Sequence, residues 1–257
     1  MSEVVEIQLE WKYTPENYFE EPITIKEEAF ELTISNGIVL AKIDPSFFHQ
    51  NAEIKDDLTD LIESRFYAVQ LMSHRDFTLT KPSRSDLRKD GSKHVFLEVE
   101  PMVLKLSMGS VDLVVRDKDG NIVSDTKRDR LNKQKWFSET VAKYRGIDYT
   151  LDQMLKSYQM AVIDPKNELV YLYEIRDALS ARFRNKKTAL KQLGISNKEW
   201  GVLGDLANNQ PLIQGRHRGK AIGMLRSAQS HELDTARKIA VTLVEKYLRF
   251  LENQYNR

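Results

Sequence analysis

After Val123 the apolar residues change their spacing from two to three or four, and they keep that spacing almost to the end of the chain. A period of two places side chains on alternate faces of a strand, whereas a period near 3.6 lines one face of a helix. Phe30, Leu32 and Ile34 alternate with Glu31 and Thr33, and Leu97 and Val99 alternate with Glu98 and Glu100. Leu169, Leu172, Ile175, Leu179 and Phe183, and later Leu233, Ala236, Ala240, Leu243, Tyr247 and Leu251, follow the helical spacing. The switch predicts an α+β protein. An N-terminal β-rich domain over residues 1–126, an antiparallel sheet with one inserted helix, precedes an all-α helical bundle over residues 127–257.

In the first part, Val4, Ile7 and Leu9 mark an opening strand, and Asn36-Gly37 sits between two strand-like runs, where it supplies the positive φ angles of a tight hairpin. Pro45 ends the second run. Ile54, Leu58, Leu61, Ile62, Val69 and Met72 share one helical face, which predicts the inserted helix over residues 52–72. Residues 81–91 are polar and turn-prone and read as a loop. Further strands are expected over residues 95–100, 103–108 and 111–115, with a last hairpin turning at residues 117–120 into Asn121-Ile122-Val123. Residues 124–130, SDTKRDR, lack an apolar anchor and read as the linker.

In the second part the helix signals are chemical as well as periodic. Thr150 stands in a capping position before Leu151, Met154, Leu155 and Tyr158. Asp164-Pro165 starts the next helix, with proline where its missing N–H costs nothing. Gly194 ends a short helix, and Ser196 with Glu199 forms a capping box for the following one. The last helix begins after Ser230.

Composition removes several chemistries. With no cysteine there is no disulfide framework, thiolate chemistry or Cys-ligated metal. The five histidines, His49, His74, His94, His217 and His231, are too dispersed for a metal ligand set, so no metal and no cofactor are expected. Phosphate-loop, dinucleotide, HExxH and GxSxG signatures are absent. His74-Arg75-Asp76 spells a kinase triplet without the other kinase elements. No run approaches the roughly 20 apolar residues of a membrane span, and the N-terminus lacks a signal-peptide pattern, so a soluble, cytoplasmic protein is expected. Charge is divided: residues 1–60 hold 14 Asp and Glu against 4 Lys, net −10, and residues 180–257 hold 15 Lys and Arg against 6 Asp and Glu, net +9. Either the basic end attracts nucleic acid or the two ends neutralise each other.

The densest basic stretch is residues 208–231. It brings Arg216, His217, Arg218, Lys220, Arg226 and His231 to glycine-punctuated backbone just before the last helix, whose free N–H groups and dipole favour an anion. Arg226-Ser-Ala-Gln-Ser-His231 resembles the catalytic signature of the HEPN superfamily, helical domains common among the metal-independent ribonucleases of prokaryotic defence and toxin systems. The resemblance covers the C-terminal half, and Ser227 stands where many members carry Asn, Asp or His after the arginine. It implies that His231 is the general acid or base, that Arg226 stabilises charge on the scissile phosphate, and that a homodimer brings two motifs into one cleft. His217 is a rival base, and Arg216, Arg218, Lys220, Lys186 and Lys187 would hold the strand. RNA is the more favoured nucleic acid because its 2′-OH supplies the nucleophile.

Two other readings compete. Residues 187–208 have the spacing of a helix-turn-helix, with Gly194 at the turn and Trp200 as anchor, which would make this a DNA-binding protein; the second helix offers Asn197, Lys198 and Asp205 but no arginine suited to bidentate base reading. A non-enzymatic adaptor is the third, with a protein partner for the β-rich domain.

Overall fold

The computed structural model describes residues 2–96, 114–116, 122–220 and 223–255. The chain is α+β, an antiparallel sheet followed by a helical region, and it divides into two compact units: residues 1–62 with 77–125, and residues 63–76 with 126–257. Among the described residues no helix is long and apolar enough to cross a membrane.

The first unit is built on β1 (Val4–Thr14), in which Ile7, Leu9, Trp11 and Tyr13 alternate into the core. With β2 (Ile23–Lys26), β3 (Phe30–Ser35), β4 (Ile38–Ile43), β5 (Thr78–Leu79), β6 (Ser83–Arg88) and β7 (Lys93–Phe96) it forms a sheet of order β2-β3-β4-β1-β6-β7, with β5 also on β1. All pairings are antiparallel. Asn36 and Gly37 take φ of 49° and 80°, the two positive angles of the expected turn, and set Ser35 opposite Ile38. Leu32 faces Ala41 and Ala41 faces Leu9, so one buried row crosses three strands.

Two helices, not one, separate β4 from β5. Pro45 does more than end a strand: Asp44 accepts from Phe47 N at 3.0 Å and Pro45 opens α1 (Pro45–Gln50). The second is α2 (Ile54–Ser73), whose Ile54, Leu58 and Ile62 are buried and whose Thr59 Oγ1 accepts from Trp11 Nε1 at 3.2 Å.

Two sequence expectations are corrected. Most of residues 81–91 is not a loop: β6 pairs with β1 from Val4↔Arg88 to Glu10↔Ser83, and Asp90-Gly91 is only the turn into β7. Its polar side chains hide the strand, since Ser85 and Asp86 are buried and Arg84 Nε donates to Asp86 at 2.7 Å. Residues 124–130 are not a linker either, because β9 (Ile122–Asp125), paired with β8 (Val114–Arg116), runs directly into α3 (Thr126–Tyr144). Of the strand expected over residues 95–100, Val95 and Phe96 lie in β7; its remainder, the strand expected over 103–108, the start of the one over 111–115, and the turn at 117–120 lie outside the described residues.

The second unit contains the last turns of α2, α3, α4 (Tyr149–Ile163), a 3-10 turn (Pro165–Asn167), α5 (Glu168–Arg182), α6 (Lys186–Leu193), α7 (Asn197–Asn208), a 3-10 turn (Arg218–Lys220) and α8 (Ser230–Tyr255). Its core joins Tyr67, Ala68 and Leu71 of α2 to Phe137, Met154, Leu172, Trp200 and the stripe Ala236, Ala240, Leu243, Tyr247 and Leu251 of α8. The cap of α4 is Asp148, not Thr150: it accepts from Leu151 N at 2.8 Å and from the Tyr247 hydroxyl at 3.0 Å. Asp164-Pro165 starts the 3-10 turn that leads into α5. Gly194 closes α6 at φ 59°, and the capping box of Ser196 and Glu199 is complete.

Candidate functional site

The chain from α7 to α8 is tied down by its own backbone. Leu212 is buried, Arg216 N donates to Ala207 O at 2.7 Å, and Gly215 passes so close that a Cβ would meet Ala207 O at 3.1 Å. Farther on, Arg226 N donates to Pro211 O and Ile213 N to Arg226 O, both at 2.9 Å. Ala228 N donates to the Gln214 side chain at 3.0 Å. Arg226 is therefore set by two backbone bonds before α8 begins.

Those bonds aim its side chain at the first turn of α8. Arg226 Nη1 and Nη2 fork the two carboxylate oxygens of Glu232, each at 2.7 Å, and Glu232 also accepts from Gln229 N at 2.8 Å. The guanidinium, with the Gln229 N–H and the adjacent His231, holds the Glu232 carboxyl down to about 2. Glu232 thus supplies a side-chain cap at this helix start, which includes Ser230. Arg226 remains 43% exposed at its side chain and His231 is exposed, so both reach solvent.

The other predicted residues go elsewhere. Arg216 Nη1 donates to Asp177 at 3.2 Å and its guanidinium lies 4.2 Å from the centre of the Tyr173 ring, on α5. Arg218 donates to Gly215 O at 2.9 Å and to the Asn167 side chain, in the turn before α5. Ten residues separate Asp177 from Asn167, so one arginine is held on α5 and the other at the turn before it. His217 is exposed, Lys220 closes the second 3-10 turn, and Lys186 and Lys187 are exposed in the first turn of α6. Arg226 is bound to Glu232 and His231 is the residue before that carboxylate in the chain; Arg216 and Arg218 are held at α5 and at the turn before it, and Lys186 and Lys187 stand on α6.

A polar cluster that the sequence did not disclose reaches, through His74, Tyr158 and Arg237, into a cleft of about 590 Å³ bounded by α2, α3, α4 and α8. Glu168, 1% exposed, is forked by Arg237 through Nε at 2.6 Å and Nη2 at 2.9 Å. His74 Nε2 lies 3.5 Å from Glu168, and His74 Nδ1 lies 3.3 Å from the Tyr158 hydroxyl. Burial, and then the positive charge of Arg237, push His74 down to about 4, so its ring is neutral. The nearby carboxylate does not reverse this because Arg237 already neutralises it. The Tyr158 hydroxyl lies between His74 Nδ1 and Leu71 O, to which it donates at 3.5 Å. Burial raises the Tyr158 hydroxyl well above its ordinary value. No local pattern signals this set: Glu168 looks like an ordinary acid in a first helical turn, and His74 stands in a triplet without kinase context.

Among the described residues no group of three or more acidic or histidine side chains is arranged to hold a metal ion. No family model matches the chain, and no curated protein or solved structure matches it.

Proposed function

We propose that this protein binds RNA and cleaves it without a metal ion at the first turn of α8. The observation that carries this reading is the Arg226 guanidinium forked at the solvent-exposed N-terminus of a 26-residue helix whose second residue is the exposed His231. A helix start favours anions, and a guanidinium held in a fork by a carboxylate has the geometry to receive two phosphate oxygens instead. In the resting protein Glu232 occupies that fork, so a phosphodiester must displace it, and the N-terminal N–H groups of α8 assist the exchange.

His231 then accepts the proton of the 2′-hydroxyl, the 2′-oxygen bonds to phosphorus, and the bond to the 5′-oxygen breaks. The 5′-oxygen takes a proton from solvent or from a second imidazole, leaving a 2′,3′-cyclic phosphate and a 5′-hydroxyl. His217, or His231 of a second copy in a homodimer, is the candidate donor. Arg226 stabilises the charge that develops on the phosphorane. His231→Ala is expected to lower cleavage of a labelled RNA by about 10²-fold or more. Unchanged turnover in a variant with an unaltered circular-dichroism spectrum would sink the reading, and an adaptor role would replace it.

The α6-turn-α7 unit supports a second reading. Eight residues, a left-handed Gly194 and a capped twelve-residue helix, with Ala189, Leu193, Ile195, Trp200 and Leu203 buried, have the form of a helix-turn-helix. Its exposed face carries Asn197, Lys198 and Asp205, and Asp205 is already bonded to Asn209 and Gln210, which leaves little for reading bases in duplex DNA.

A further inference from the structure

His231 and the cleft around His74 lie along α8 at helical spacing. Asp234, Lys238, Val241 and Glu245 follow His231 at intervals of three, seven, ten and fourteen residues, and all four line the cleft. Lys238 is roughly 10 Å along the helix from His231, so a strand held at the first turn can place a neighbouring nucleotide here.

The cleft has the make-up of a site for such a unit. Its volume of about 590 Å³ suits a ligand of nucleotide size. Leu71, Met72 and Val241 give it an apolar wall, and His74 adds a neutral ring set edge-on to Tyr158, with centroids 5.6 Å apart at 89°. Arg237 is fixed from behind: the buried Glu168 takes Nε and Nη2, while Nη1, among the described residues, meets Asp234, 57% exposed, at 3.2 Å. Such a solvent-exposed pair contributes little and is readily exchanged for a stronger anion. Lys238 is exposed beside it, and Lys133 stands on the opposite wall, paired with Glu245 at 2.8 Å.

We infer that this cleft is a nucleotide subsite. It takes the base and sugar of the nucleotide next to the scissile phosphate, with a flanking phosphate at Arg237 and Lys238. The inference rests on the RNA reading of α8 and gives it a preference for the base beside the cut.

The test uses the full chain and the four ribonucleoside 5′-monophosphates, titrated by calorimetry, with ribose 5-phosphate and inorganic phosphate as controls. At least one mononucleotide is expected to saturate a single site below about 1 mM and to bind about tenfold more tightly than ribose 5-phosphate. Lys238→Glu, a change at an exposed position, and Val241→Trp, which fills the wall, are each expected to weaken it about tenfold or more. Overturning results are no mononucleotide binding up to about 10 mM, inorganic phosphate binding as tightly as the nucleotides, or both variants binding like the parent. RNA cleavage without mononucleotide binding removes the subsite and leaves the α8 reading standing. Mononucleotide binding that depends on Lys238 and Val241, in a chain that cuts no RNA, upholds the subsite and removes the nuclease.

Discussion

His74 makes the case for reading single residues through their surroundings. In the sequence it belongs to a chance triplet; in the fold it is a neutral imidazole, 18% exposed at its side chain, between Glu168 and Tyr158. An imidazole held at about 4 when folded and near 6.5 when unfolded makes the unfolded chain bind more protons through that window. Stability from His74 is therefore complete above pH 6.5 and is lost as pH falls toward 4. Between pH 7 and pH 5 the loss is about 2 kcal/mol, measurable by urea unfolding, and His74→Gln is expected to flatten that part of the profile. An equal slope in the variant would mean that another group carries the acid sensitivity. Arg226 and His231 stood out in the sequence because they are five residues apart, but the Glu232 that binds Arg226 did not, since nothing local says which cation a helix-start carboxylate will take.

At the scale of elements, the signals that worked were those stored in a few adjacent residues. Asn36-Gly37, Gly194 and the Ser196–Glu199 box each specify a backbone state by themselves, and each forms. The failures share a cause. β6 carries Ser, Arg, Ser and Asp, and α3 opens with Thr-Lys-Arg-Asp-Arg, so neither displays apolar periodicity where it begins. Pairing with β1 makes the first a strand, and helix continuity up to Phe137 and Val141 makes the second a helix. α7 supplies a test in the opposite sense. Replacing an exposed helical glycine by alanine gains up to about 1 kcal/mol, but Gly204 is buried and a Cβ on it would collide with the Arg176 guanidinium. That group stacks on Tyr173 at 4.2 Å and donates to Trp200 O at 2.9 Å, so it has little room to withdraw. Gly204→Ala is expected to destabilise by about 1–2 kcal/mol in thermal or urea unfolding; a gain would show that Arg176 is free to move.

For the molecule as a whole, the sequence separates an acidic beginning, net −10 over residues 1–60, from a basic end, net +9 over residues 180–257. In the helical unit much of the positive charge is already engaged: Arg216 by Asp177, Arg226 by Glu232 and Arg237 by Glu168. RNA binding through Arg216, Arg218, Lys220 and Arg226 would release about three counterions, a slope near −3 for log K against log salt on a single strand. Filter binding at several salt concentrations measures it. A flat dependence for single-stranded RNA, or a steeper one confined to duplex DNA, would move the reading away from the start of α8.

The switch from sheet to bundle, the Asn36-Gly37 turn, the Gly194 stop, the Ser196–Glu199 box and the lack of thiol chemistry were settled by the residues alone, because each depends on composition or on neighbours within one turn or one hairpin. Who meets whom was decided only in three dimensions. Arg237 reaches Glu168 across 69 residues and His74 reaches Tyr158 across 84, and burial, which makes those meetings consequential, is a property of the packed chain rather than of any segment of it.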